Sequence, residues 1–162
     1  MNTMVFKIKS TSPETTQHIA QAFIKLLPQG SVVLLEGNLG SGKTTFTKGI
    51  GAGLNIKRAI KSPTYTVIKE YSLETGGLLV HVDAYRLEEG GEETVDLLYY
   101  LTDQNYLFIE WSQFLEDSLP NDYLKVRFTP QESFNERLIE FESHGDQYDE
   151  VLRQLQEVLA DE

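Results

Sequence analysis

The run Gly37-Asn38-Leu39-Gly40-Ser41-Gly42-Lys43-Thr44 fits the spacing G-x-x-x-x-G-K-[ST], which is suited to gripping phosphate. Glycines let the backbone turn tightly around an anion, and the N–H groups opening the next helix point at it along a favourable dipole. Lys43 is expected to reach the β- and γ-phosphates, and the Thr44 hydroxyl to offer oxygen to Mg²⁺. Leu39, Gly40, Ser41, Gly42, Lys43 and Thr44 thus form the expected nucleotide cradle.

Such a site needs a second metal-facing acid, expected at the carboxyl end of a neighbouring strand, where ligands of open α/β sheets bind. Two apolar runs end that way. Leu79-Val80-His81-Val82 leads into Asp83, and Leu107-Phe108-Ile109 leads into Glu110. One acid would hold Mg²⁺, directly or through water, while the other positions the attacking water; the residues alone do not assign them. His81 is more simply a hydrogen-bonded core residue than a catalyst. Arg86 is suited to phosphoryl charge, structure or a partner. Lys61-Ser62-Pro63-Thr64-Tyr65-Thr66 reads as a connector or as a switch over the phosphates.

Elements must deliver these groups. Val5 to Lys9 alternates as a strand, and Ser12-Pro13 caps a helix with apolar face Ile19, Phe23, Leu26 and Leu27, stopped at Pro28-Gln29-Gly30. A buried strand, Ser31 to Glu36, enters the loop, and a helix from Thr45 leaves it, closed by glycines near Gly51 and Gly53. Thr66 to Ser72 and Leu78 to Asp83 read as a hairpin, Glu92 to Leu101 as a short helix, and Tyr106 to Glu110 as a strand. Tyr123 to Phe128 and Arg137 to Phe141 suggest a terminal hairpin, followed by an amphipathic helix. The mixture predicts an α/β fold of the P-loop NTPase-like, three-layer kind, a central mixed sheet with helices on both faces.

At 162 residues the chain is expected to be one domain, 1–162. It has no cysteine, no apolar run of membrane-spanning length and no signal-like start, so a cytoplasmic location with no membrane partner is expected. The formal net charge of −11 argues against gripping nucleic acid with the whole surface. Residues 37–69, however, contain six Lys or Arg and no acid. This basic segment reads either as solvated charge or as a patch for an anionic or acidic partner.

The phosphate loop with Thr45, then Ser62-Pro63-Thr64-Tyr65, His81-Val82-Asp83-Ala84-Tyr85-Arg86-Leu87 and Ile109-Glu110-Trp111, together resemble the bacterial TsaE (YjeE) family in order and spacing. The resemblance runs from about Ser12 to about Arg137. It implies an ATP-binding and hydrolysing component required for threonylcarbamoyladenosine in tRNA, working with the TsaD and TsaB proteins and meeting tRNA only through that complex. By the same resemblance, Lys43 and the loop hold phosphate, Thr44 and Glu110 bind Mg²⁺, and Asp83 takes part in hydrolysis. Thr45, Ser62, Thr64 and Trp111 would line the site, and Thr16 with Arg137 would border the adenine. Ser112-Gln113 stand where the family commonly has Pro-Glu after the tryptophan. The competing classes are a small-molecule kinase, for which only scattered Arg127, Arg137 and Arg153 follow Trp111, and a nucleotide-gated binding module with incidental turnover.

Lys43→Ala is expected to remove most affinity for ATP, because the loop loses its one full positive charge facing the β- and γ-phosphates. Isothermal calorimetry checks this; unchanged affinity would overturn the phosphate-loop reading.

Overall fold

Alternating burial along the strands sets the architecture, since successive side chains of a strand point to opposite faces. The computed structural model describes residues 3–38, 41–57, 60, 68–84, 97–110 and 119–160, with only the backbone at 97 and 98. Seven strands form one mixed sheet: β1 (Val5–Ser10), β2 (Val32–Glu36), β3 (Ile68–Ser72), β4 (Leu78–Asp83), β5 (Tyr106–Glu110), β6 (Tyr123–Pro130) and β7 (Arg137–His144), in the order β1-β7-β6-β2-β5-β4-β3. The inner strands β4, β5, β2 and β6 run parallel, and β3, β7 and β1 join them antiparallel. Strand β2 lies between β5 and β6, so the loop that leaves it opens in the middle of the sheet's carboxyl edge, where ligands of such sheets sit.

Three helices, α1 (Pro13–Leu26), α2 (Lys43–Gly53) and α4 (Asp146–Ala160), cover one face. Their core includes Val33, Leu35, Leu79, Tyr106 and Phe108 from the sheet and a cluster of Phe23, Phe46, Phe128 and Phe141 rings 5.2–6.1 Å apart. The opposite face of the parallel strands buries Val32, Leu34, Val80, Val82, Leu107 and Ile109, with Tyr100 of the one-turn helix α3 (Leu97–Tyr100) against them. This is the expected α/β class. No helix among the described residues is long and apolar enough to cross a membrane.

Local chemistry explains the element ends. Ser12 caps α1 by accepting from the Thr15 N–H at 3.1 Å, and Pro13 occupies the first turn, where a missing N–H costs nothing. Helix α2 begins two residues earlier than the expected Thr45, because Gly42 takes the cap position. Its glycines also do more than close it. Gly49 lies inside the helix, and a Cβ there would stand 2.6 Å from Gln17 O and 2.7 Å from Ala20 Cβ; a Cβ at Gly53 would collide with Ile24. These two glycines, four residues apart on one helical face, let α1 and α2 approach backbone to backbone. The expected strand from Thr66 is seen over Ile68–Ser72 and the expected helix from Glu92 over Leu97–Tyr100; residues 61–67 and 85–96 lie outside the described residues.

Gly49→Ala is expected to lower the melting temperature. Alanine favours the helix by about 1 kcal/mol, but overpacking costs about 1–3 kcal/mol. Here two of the three nearest atoms belong to the backbone of α1, which cannot rotate aside. A thermal melt with a raised midpoint would show that the helices separate freely.

Candidate functional site

Strand β2 ends at Glu36, an acid directly before the phosphate loop, yet its side chain points away from the loop. Glu36 pairs with Lys125 (3.3 Å) and Arg127 (3.2 Å), and Arg127 also reaches Glu140 at 2.9 Å. The anion-repelling charge is thereby tied to the face opposite α2. At Gly37 (φ 153°) a Cβ would collide with Ser41 Oγ and lie 3.1 Å from Phe128 O, so only glycine lets the loop fold back this closely. Gly42 takes a left-handed conformation (φ 113°) as the cap of α2 and brings no side chain to bind the helix's first N–H groups. The first turn, Lys43-Thr44-Thr45, therefore presents donors and the positive end of the helix dipole to the loop's interior.

Two further features mark this interior as an anion cradle. Ser41 is 1% exposed, and its Oγ has no hydrogen-bond partner among the described residues, a costly arrangement that a phosphate oxygen would relieve. The loop is also braced from outside. Arg137, at the start of β7, donates from Nε to Ser41 O at 2.9 Å and from Nη1 to the carbonyls of Phe134 (2.7 Å) and Glu136 (2.8 Å). Its stem packs 3.8 Å from where a Gly42 Cβ would be.

The acids arrive by register. Parallel pairing sets Asp83 opposite Glu110 and Glu110 opposite Leu35, one residue before the end of β2. Strand parity sends Leu79, His81 and Asp83 to the α2 side, together with Tyr106, Phe108 and Glu110. Glu110 is 4% exposed: its Oε1 lies 3.3 Å from Lys43 Nζ, and its Oε2 lies 2.5 Å from His81 Nε2. Burial pushes the Glu110 carboxyl up, but the hydrogen bond and charge of His81, together with Lys43, outweigh it and hold the acid below its ordinary range. Asp83 is half-buried at the same edge. Thr44 and Glu110 carry hard oxygens, with Asp83 across the register from Glu110, and the cradle beside them suits phosphate, so these residues fit Mg²⁺ with a nucleoside phosphate.

The structure thus brings Lys43 to Glu110, with Asp83 across the register, while Ser41, Gly42, Thr44 and Thr45 flank Lys43 along the chain. Thr16 stands apart. It is 3% exposed in the first turn of α1, with its hydroxyl 2.7 Å from Ser10 Oγ. Arg137 meets the loop backbone. Leu39, Gly40, Ser62, Thr64, Trp111 and Arg86 lie outside the described residues. Of the basic segment, Lys43 is buried, while Lys48 and Lys57 are exposed. The contact that residue reading missed is His81 on Glu110. Its signal was the two-residue step to Asp83, which puts both on one face; the strand order that supplies Glu110 was not legible.

Fold and loop together define an α/β protein of the phosphate-loop NTPase type. The family model described as threonylcarbamoyl adenosine biosynthesis protein TsaE matches residues 10–139, and the chain belongs to that family. Bacillus subtilis tRNA threonylcarbamoyladenosine biosynthesis protein TsaE is 39% identical over 150 residues, 92% of either chain. The protein of the same name from Streptomyces coelicolor is 40% identical over 113 residues, covering 68% of this chain and 76% of that one. The crystal structure of Bacillus subtilis YdiB superposes with a TM-score of 0.83 at 33% identity, covering 97% of both chains.

The Lys43–Glu110 pair predicts the behaviour of the nucleotide-free protein. Glu110→Gln exchanges a charged partner of a 5%-exposed ammonium for a neutral amide and is expected to cost on the order of 1–3 kcal/mol, read as an earlier urea midpoint. An unchanged midpoint would mean that the pair contributes nothing to the resting fold.

Proposed function

We propose that this chain binds and hydrolyses Mg²⁺-ATP in the cytoplasm, and that this activity serves threonylcarbamoyladenosine modification of tRNA in company with the TsaD and TsaB proteins. The observation that carries the reading is the buried Lys43–Glu110 pair at the mouth of a helix whose first turn lacks a capping side chain. A lysine held 3.3 Å from a carboxylate at that place has its alternative partner, a phosphate, designated by the loop around it. Family membership supports the tRNA pathway, and the net charge of −11 supports meeting tRNA through partners.

In this mechanism the triphosphate enters the loop, where the amides at the start of α2 and the Ser41 hydroxyl bind its oxygens. Lys43 turns from Glu110 to the β- and γ-phosphates. The carboxylate is thereby left free for a new cation, with Thr44 beside the phosphates. Thr44 and Glu110 would hold Mg²⁺, which would supply positive charge against the phosphates. Asp83, across the register from Glu110, orients the attacking water and accepts its proton. The γ-phosphorus–oxygen bond to the leaving diphosphate breaks as water's oxygen adds, giving ADP and inorganic phosphate. Lys43 steadies the charge on the bridging side.

Asp83→Asn is expected to cut turnover about 100-fold or more, with Mg²⁺-ATP affinity nearly unchanged. Phosphate release and calorimetry check the two halves. The same assay run with and without TsaD and TsaB tests the partnership: a rate that rises with the pair supports it, and an unaltered rate and no association overturn it.

A further inference from the structure

We propose that His81 is the positioning residue for Glu110, holding that carboxylate in its metal-ready orientation while Lys43 is engaged elsewhere. The inference rests on the reading of Lys43 and Glu110 as the phosphate and metal groups of one site. Among the described residues, two side chains fix Glu110: Lys43 at Oε1 and His81 at Oε2. Lys43 is also the residue the phosphates claim, so its hold on the carboxylate ends when nucleotide enters. His81 has no such second duty. It projects from β4 on the α2 side, is 0% exposed, and donates from Nε2 to Oε2 at 2.5 Å, leaving Oε1 directed toward Lys43 and the loop.

The surroundings of His81 do not call for a histidine on packing grounds. Leu79, two residues back on the same face, is fully buried, and an aliphatic side chain suits this layer. Nδ1 of His81 is buried without a hydrogen-bond partner among the described residues. A ring nitrogen left in that state is unfavourable, so the position disfavours histidine except through what Nε2 does for Glu110. A glutamate has three side-chain torsions, and without an anchor its carboxylate loses its aim once Lys43 departs. Outer groups of this kind orient metal ligands and strengthen binding.

The experiment titrates Mg²⁺ into the protein at fixed ATP by calorimetry and measures ATP affinity separately in EDTA. His81→Leu removes the donor, and His81→Gln keeps an amide nitrogen near the Nε2 position. His81→Asn carries one too short to reach, and serves as the donor-deficient variant if the leucine variant does not fold by circular dichroism. The expected result is a Mg²⁺ midpoint raised about 10- to 100-fold in the Leu and Asn variants, little change in Gln, and metal-free ATP affinity within about twofold throughout. An unmoved midpoint in the donor-deficient variants overturns the proposal, as does an equal loss in Gln, which would make His81 a filler of volume. Wild-type protein that binds no nucleotide in a Mg²⁺-dependent way overturns the site reading itself, and is told apart because every variant then matches it.

Discussion

A buried ammonium and a buried carboxylate that must neutralise each other are the constraint around which this molecule is arranged. Neither Lys43 nor Glu110 tolerates its surroundings alone, since removing a charge from water is costly unless it is paired. Lys43 comes from the first residue of a helix and Glu110 from the last residue of a strand, so their pairing fixes where the helix starts relative to the sheet edge. The parallel register of β2, β5 and β4 follows the same geometry, setting Leu35, Glu110 and Asp83 side by side. The phosphate loop is what remains between two elements already held by their charges.

The sheet divides its labour. Strands β4, β5 and β2, buried on both faces, supply strand ends and nearly continuous apolar runs. The strands beyond β2 supply support. Strand β7 carries Arg137, which holds the carbonyl of Ser41, and β6 carries Arg127, which draws Glu36 away from the anion cradle. These arginines perform opposite tasks on one loop: one ties down its backbone, and the other removes a neighbouring negative charge.

Much of this was legible in the residues. Ser12-Pro13 announced α1 because capping is local, and Leu78–Asp83 and Tyr106–Glu110 announced their strands because a doubly covered strand must be apolar throughout. The acids at their ends followed from the general place of ligands in such sheets. What lay beyond reach was non-local. Nothing in the run Lys48-Gly49-Ile50 shows that Gly49 faces Gln17 and Ala20 of a helix far earlier in the chain; a glycine reads as an ending unless its neighbour is known. His81 read as a core residue, which it is. That its ring also meets Glu110 depends on β4 lying beside β5, a fact of topology. Arg137 was placed near the nucleotide by resemblance, and its contact with Ser41 O, 96 residues away, belongs to the folded chain alone.

That last separation bears on how the protein comes to exist. Local elements form quickly, while contacts that close long stretches of chain wait for the entropy of closure to be met. The phosphate-loop residues precede most of the frame that seats them: β5 begins at Tyr106, β6 at Tyr123 and Arg137 opens β7. A chain emerging from its amino end therefore exposes the loop sequence well before β2 has either neighbour. During synthesis the nucleotide has no formed cradle to stabilise until β5 and β6 have emerged.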